Sequence, residues 1–417
     1  MNVSIVNIGD ELLIGQVVNT NASAMSQMLT ASGMNVAKVM VVSDNADAIT
    51  KALRDTLAVS DAVLLTGGLG PTKDDITKHT LASFFSSELY ENEEALENVR
   101  RIFAQRGYPL TEINRQQSWV PRCCTMINNR LGTAPCMWFD TDDRKVVVSL
   151  PGVPFEMVDL MRTQVMPRLA EHFECGHIVN KNILIQGIGE SFLSDLIEPW
   201  ELAMPQNIKL AYLPQAGMLK LRLTARGADL ELLGRQIADA VEALYPIAGQ
   251  YVVGEDAESL PELLPALMAA SGSSLATAES CTGGTIASRI TAVPGASAFF
   301  KGGVVAYSND VKERLLAVSP QILEEEGAVS EATVRQMAEG ARRAMNADYS
   351  VATTGVAGPT GGTPLKPVGM VWMAVAGPRR TETKMMQYSG QRQQIVDRAS
   401  NEIFSMLIKM IKEDLHV

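Results

Sequence analysis

The stretch Ser274-Leu275-Ala276-Thr277-Ala278-Glu279-Ser280-Cys281-Thr282-Gly283-Gly284 reads as an apolar strand ending on a tight turn, and residues 285–291 continue it as a helix. A strand that feeds a helix through a glycine turn is the repeating unit of an α/β fold. The same turn puts a hydroxyl, Ser280, at a helix start, where backbone N–H groups can hold a developing oxyanion. Gly283 and Gly284 let a ligand come close to the backbone. Further on, Ala306-Tyr307-Ser308-Asn309-Asp310-Val311-Lys312 offers a phenol and an amine. No histidine stands near either stretch, so the base for an activated serine must be one of these.

Outward from that turn, residues 255–417 continue the pattern. An acidic linker (Glu255, Asp256, Glu258) leads to a helix from Leu260. Apolar runs at 274–278, 300–307, 349–353 and 369–375 read as strands, and 331–345 and 391–410 as helices. Residues 1–170 alternate in the same way, with strands at 3–8, 34–42 and 62–65 and helices at 19–32 and 46–59. This alternation predicts a parallel sheet whose ligands lie at the carboxyl ends of its strands. Two glycine loops fall at such ends, residues 9–15 (GDELLIG) and 66–75 (TGGLGPTKDD). Residues 171–254 differ. Period-two alternation at 208–212 and 219–223 marks half-buried antiparallel strands, which predicts a small α+β module between the two α/β domains.

The 417 residues suit two or three domains. With 46% hydrophobic and 20% charged residues the chain is ordinary globular protein. A net charge of −11 leaves no basic excess to neutralise phosphates, which argues against non-specific nucleic-acid binding. Five cysteines without a Cys-x-x-Cys pair, and four scattered histidines, exclude a structural zinc site and a disulfide framework. No apolar run reaches the ~20 residues of a membrane span and no leader pattern is present, so the expected location is the cytoplasm.

Each candidate residue also has a plainer explanation. Ser280 is the candidate nucleophile or a helix cap. Cys281 is an alternative nucleophile or a small buried hydrophobe. Lys312 serves as base only if burial lowers its pKa, and Tyr307 either relays the proton or ends a strand. Glu279 either orients Lys312 or faces solvent. The loop at 353–362 (TTGVAGPTGG) follows a strand and is suited to wrapping a phosphate or sugar, and Arg392 could pair with a phosphate. In the N-terminal domain, Asp74 and Asp75 with Asp10 and Glu11 suit a Mg²⁺-bridged phosphate site, or else Asp74 and Asp75 cap the next helix. Leu150-Pro151-Gly152-Val153-Pro154-Phe155-Glu156 is a further loop into a helix. The spacing at 66–75 is neither a Walker loop nor a dinucleotide fingerprint.

Taken together these motifs resemble the CinA family over essentially the whole length. The N-terminal part resembles its molybdopterin-binding (MoCF-like) domain through GDELLIG, NTN, TGGLGPTKDD and LPGVPFEM. The last third resembles its nicotinamide-nucleotide amidohydrolase domain through AESCTGG, AYSNDVK, GAVSE, TGVAGPTGG and KPVGMVW. The resemblance implies two α/β domains, 1–170 and 255–417, joined by a KH-like module at 171–254. Gly187-Ile188-Gly189-Glu190 in that module is not a GXXG nucleic-acid clamp.

For the C-terminal domain the resemblance implies metal-free hydrolysis of nicotinamide mononucleotide to nicotinic acid mononucleotide and ammonia. Ser280 would be nucleophile, Lys312 base and Tyr307 its helper. Cys281, Thr282, Gly283, Gly284, Thr354 and Gly355 would contact substrate or oxyanion, and Arg392 the phosphate. For the N-terminal domain it implies metal-dependent cleavage of ADP-ribose. Gly9, Asn21, Thr66, Gly67, Gly68, Gly70, Pro71, Thr72, Pro151 and Gly152 would hold the nucleotide. Asp10, Glu11, Asp74 and Asp75 would hold a divalent ion such as Mg²⁺. A homodimer is expected, and neither a membrane nor nucleic acid as partner. Two other readings are a binder or transferase of molybdopterin and a non-catalytic protein in DNA uptake.

Overall fold

The structure is a computed structural model that describes residues 1–72, 75–173 and 176–415. The chain divides into two compact units, Met1–Val179 with Arg226–Leu233, and Asn180–Ala225 with Gly234–Val417.

In the first unit the strands are β1 (Asn2–Ile8), β2 (Asn35–Val42), β3 (Ala62–Thr66), β4 (Leu89–Glu91), β5 (Trp119–Pro121), β6 (Thr125–Ile127), β7 (Cys136–Asp140) and β8 (Val146–Leu150). Six of them form one sheet in the order β2-β1-β3-β8-β7-β6, and β4 and β5 pair separately. The strands β2, β1, β3 and β8 run parallel. The expected all-parallel sheet is corrected at one edge, where β7 runs antiparallel to both β8 and β6. The reason is the short link 141–145, which can join only antiparallel neighbours, since a parallel crossover needs a dozen residues or more.

Side-chain alternation puts one core on each face of this sheet. Val3, Ile5, Ala62, Leu64, Val146 and Val148 pack with Met25, Leu29, Met157 and Leu160. Val6, Ile8, Val63, Leu65 and Val147 pack with Ile49, Leu53 and Leu81 on the other side. Strands buried on both faces must be continuously apolar, which is why β3 (Ala-Val-Leu-Leu-Thr) is buried throughout.

The second unit holds most of β9 (His177–Ile185), β10 (Ile208–Gln215), β11 (Met218–Gly227) and β12 (Val252–Glu255), in the order β10-β11-β9-β12. The acidic stretch expected as a linker is instead ion-paired to this sheet. Glu258 meets Lys220 and Arg222, and Lys181 meets Glu255 and Asp256 at 2.7 and 2.6 Å.

The remaining strands are β13 (Leu275–Glu279), β14 (Phe300–Val305), β15 (Tyr349–Gly355), β16 (Met370–Ala376) and β17 (Thr381–Gln387), in the order β14-β13-β15-β16-β17. Only β14, β13 and β15 are parallel, and β16 and β17 are antiparallel additions. The edge strand β17, Thr-Glu-Thr-Lys-Met-Met-Gln, escapes sequence reading because it is mostly polar and half exposed. Helices Glu331–Ala344 and Arg392–Leu415 cover the two faces through Val334, Met337, Ala338 and Ala341, and through Ile395, Ile403, Phe404 and Leu407. None of the described helices is long and apolar enough to cross a membrane. Cys123, Cys124, Cys136 and Cys281 are free thiols.

Candidate functional sites

Ser280 follows β13 directly, and its N–H is tied to the Thr353 carbonyl on β15 at 3.0 Å. Gly283 and Gly284 both sit at positive φ (61° and 97°), so the chain reverses into helix Thr285–Thr291 without a Cβ penalty. Glu279 neither orients Lys312 nor faces solvent. Its carboxylate is buried and accepts from the Thr282 hydroxyl (2.7 Å) and from the N–H groups of Gly284 (3.0 Å), Ile286 (3.1 Å) and Ala287 (2.8 Å). It therefore caps the helix start from below and fixes the turn that displays Ser280.

Lys312 lies on helix Asn309–Leu316, which the sequence pattern did not reveal because the segment is charged and only two turns long. Its side chain is 1% exposed. The amine reaches the Ser280 Oγ at 3.3 Å and the Ala306 carbonyl at 2.7 Å. Burial lowers its pKa below the ordinary lysine value. Burial thus shifts Lys312 toward the neutral form, the form that can accept a proton. The Cys281 thiol is pushed up to about 12 by burial, so it is a packed apolar group and not a thiolate nucleophile.

Two expected roles change. Tyr307 is 65% exposed, and its hydroxyl accepts from the Arg392 Nη2 at 3.3 Å; it is not placed as a relay to Lys312. The oxyanion stretch narrows, because the Gly283 N–H is spent on the Ser280 carbonyl (3.1 Å) and that of Gly284 on Glu279. The N–H groups of Cys281 and Thr282 remain. The hydroxyl of Thr354 donates to the Ala328 carbonyl (2.6 Å), which ties the strand end to the loop at 327–330. Gly355 ends β15. Arg392 opens the last helix and donates to the Gly358 carbonyl at 2.9 Å, so the guanidinium stands between the 353–362 loop and Tyr307.

The second site is a cleft of about 530 Å³ at the carboxyl ends of β1, β3 and β8. Gly9, Glu11, Asn21, Thr66, Gly67, Gly68, Gly70, Pro71, Asp75, Pro151 and Gly152 line it. At Gly67 (φ 111°) a Cβ would stand 2.2 Å from the Ile8 carbonyl oxygen, so only glycine lets the loop cross β1 there. Asn21 donates to the Gly152 carbonyl (2.8 Å) and to Thr66 Oγ1 (3.3 Å), and Thr66 donates to the Pro151 carbonyl (2.7 Å). Three loops distant in sequence are thus pinned around one chamber. The amide oxygens of Asn7 and Asn21, two residues that line the cleft, are buried and have no partner.

Thr72 lies outside this cleft, Asp10 is on its margin, and Asp74 falls outside the described residues. Asp75 does not cap the following helix; it accepts from the Thr72 N–H at 2.9 Å and from the Thr72 hydroxyl. Sequence reasoning missed Asp44, which is distant from the glycine motifs in the chain, and Asn7, and it read Glu156 only as the start of a helix. Burial raises the Asp44 carboxyl pKa, the Asp10 N–H (3.0 Å) lowers it, and the charges of Asp10, Glu11 and Asp75 raise it further. Burial also raises Glu156, against its bond from Asn129 (2.7 Å). Among the described residues no group of three or more His, Cys, Asp or Glu is arranged to hold a metal ion alone. The carboxylates around Asp44 nonetheless repel one another, which a cation brought in by a ligand would relieve. Mg²⁺ is ordinarily held in this way, by one or two carboxylates together with substrate phosphates.

Residues 4–171 match the family described as a probable molybdopterin binding domain, 180–254 the damage-inducible protein CinA KH domain, and 257–411 the CinA C-terminal domain. A CinA-like protein of Cytophaga hutchinsonii is 42% identical over 409 residues, covering 98% of each chain. A putative competence-damage inducible protein of Caldanaerobacter subterraneus subsp. tengcongensis is 38% identical over 412 residues, covering 99% of each. Among solved structures, the competence/damage inducible protein CihA from Agrobacterium tumefaciens is 38% identical, with 36% of this chain and 93% of that one covered and a TM-score of 0.36. With a full-length relative at this identity and all three family domains in order, the chain belongs to the CinA family.

Proposed function

We propose that the C-terminal domain hydrolyses the carboxamide of nicotinamide mononucleotide, releasing ammonia and nicotinic acid mononucleotide. The observation that carries this reading is the buried, carboxylate-free Lys312 amine 3.3 Å from the Ser280 hydroxyl. Neutral Lys312 takes the Ser280 proton as Oγ attacks the carboxamide carbon. The N–H groups of Cys281 and Thr282 hold the oxyanion. The ammonium of Lys312 returns its proton to the departing nitrogen, and ammonia leaves. Water, deprotonated by the again neutral Lys312, cleaves the acyl-enzyme and restores Ser280. Arg392, held by Gly358 and Tyr307, is available to the substrate phosphate. No step uses a metal. The test is ammonia release from nicotinamide mononucleotide in the presence of a chelator: the wild-type chain is active, and Ser280→Ala is silent. Wild-type-like release by Ser280→Ala would remove the proposal.

The N-terminal cleft supports a second activity, cleavage of the diphosphate of ADP-ribose. Its support is the chamber at the strand ends together with the crowded carboxylates. A divalent cation such as Mg²⁺ would be held by one or two carboxylates among Asp10, Glu11, Asp44 and Asp75 together with the substrate phosphates, and would neutralise the diphosphate charge. Asn7 and Asn21 would accept from ribose hydroxyls, and Gly67 and Gly68 would let the diphosphate lie against the backbone. The acidic chain is proposed to act on small nucleotides as a homodimer in the cytoplasm. Incubation with ADP-ribose, with and without Mg²⁺, tests this activity, and cleavage unaffected by a chelator would exclude the cation.

A further inference from the structure

Beside the main N-terminal cleft lies an annex of about 260 Å³ that shares Gly70, Pro71, Asp75 and Gln117 with it. A pocket for a whole ligand spans about 300–1,000 Å³, so the annex by itself holds part of a ligand whose remainder lies in the chamber next door. Its walls are of two kinds. Trp119 on β5, Leu89 on β4 and Ile113 are apolar, and Trp119 and Ile113 are 38% and 59% exposed. Lys78, His79 and Gln116 are polar. The Lys78 amine is held in place by the Gln116 carbonyl at 2.6 Å and stands close enough to Asp75 to feel its charge. The other three tryptophans do not face the cleft. The Trp138 ring nitrogen is bonded to Asp140 and that of Trp200 to the Ala240 carbonyl, while Trp372 packs on the core of the second unit.

A half-exposed indole beside a cation, at the open end of a chamber rich in glycine and carboxylates, fits one ligand fragment best. That fragment is a flat aromatic base on a phosphorylated ribose. We propose that the annex binds the adenosine half of a nucleoside diphosphate sugar, with the base stacked on Trp119 and Lys78 near the phosphate joining the two halves. The ribose-phosphate half then occupies the main cleft. Pro71 and Gly70 form the sill between the two chambers, which places the diphosphate next to Asp75. This inference rests on the proposed cleavage of ADP-ribose and names the residue that selects its nucleoside part.

The test uses the full chain with Trp119→Ala and Trp119→Phe, and three ligands: ADP-ribose, AMP and ribose 5-phosphate. Stacking of one base on an aromatic side chain corresponds to about a 5- to 140-fold change in affinity. The expected result is a KM for ADP-ribose raised by that factor in Trp119→Ala with kcat little changed, and part of the loss recovered in Trp119→Phe. AMP should compete with ADP-ribose in the wild type and much more weakly in Trp119→Ala, whereas ribose 5-phosphate should compete equally in both. An unchanged KM in Trp119→Ala overturns the assignment. If the wild-type chain does not cleave ADP-ribose, the activity proposal fails by itself, and the annex is then judged by tryptophan emission. Quenching by AMP that disappears in Trp119→Phe sustains the annex, and absence of quenching overturns it.

Discussion

At the scale of single residues, the chemistry turns on which groups are neutral. Lys312 must be uncharged to take a proton, and burial holds its pKa below 10.5. A base whose pKa is lowered is active above that pKa and lost as the pH falls through it. Ammonia release should therefore rise with pH to a plateau reached below the range of an ordinary lysine, as a pH–rate profile would show. Lys312→Met should lower kcat by about 10²–10⁴-fold, the usual worth of a positioned base. Cys281→Ala should keep activity within a few fold, and thiol reagents should leave the folded enzyme working, since the thiol is buried and pushed up to about 12. Inactivation by such reagents, blocked by substrate, would restore cysteine as the nucleophile. Glu279→Ala strands three backbone N–H groups at the helix start, while the Thr282 hydroxyl keeps Thr353 as partner, and should cost about 3 kcal/mol or more in urea unfolding. Asp44→Asn thins the carboxylate cluster, so half-maximal cleavage of ADP-ribose should need more Mg²⁺. The motif residues were legible in the sequence, whereas the partners of Glu279, Asp44 and Tyr307 were not, because hydrogen bonds between distant segments leave no local pattern.

At the scale of elements, the Lys312 helix is positioned by one close approach. A Cβ on Gly340 would lie 1.9 Å from the Leu316 carbonyl oxygen, so helices Asn309–Leu316 and Glu331–Ala344 touch backbone to side. Gly340→Ala should cost at least the ~1–3 kcal/mol of overpacking and lower kcat as well, because the displaced helix carries the base. A variant that unfolds like wild type would show that the contact yields easily. The ion pairs around β9, β11 and β12 predict a second effect. Burial alone would raise the Glu258 carboxyl, but the hydrogen bond and charge of Lys220, with Arg222, outweigh it and hold it low. Such a group stabilises above its unfolded pKa, near 4.5, and that support fades as the pH falls through the lower folded value. Acid unfolding of Glu258→Gln should accordingly begin from a lower stability at neutral pH and depend less on pH as the pH falls below 4.5. The strands β1, β3, β13 and β15 were readable from apolar runs, since both faces are buried, and the half-exposed β2 from its run of valine and methionine. The edge strand β17 was not, because a mostly polar, half-exposed strand carries too few apolar positions to stand out, and for the buried β7 it is the antiparallel direction that apolar content does not reveal.

For the whole molecule, the two sites lie in different compact units, and each is built from residues of its own unit. Ser280→Ala should thus leave cleavage of ADP-ribose intact while a chelator removes it, and ammonia release should show the reverse pattern. Loss of both activities by either treatment would mean that one site performs both reactions. The amino-acid sequence by itself determined the α/β class, the strand-end loops and the serine turn, because burial on two faces, glycine turns and helix starts are written in neighbouring residues. Only the tertiary structure decided that Lys312 meets Ser280, that Tyr307 turns to Arg392, and that Asp44 joins the N-terminal carboxylates. Each of these depends on segments tens of residues apart being brought within a few ångströms, and on the burial that then sets which groups carry charge.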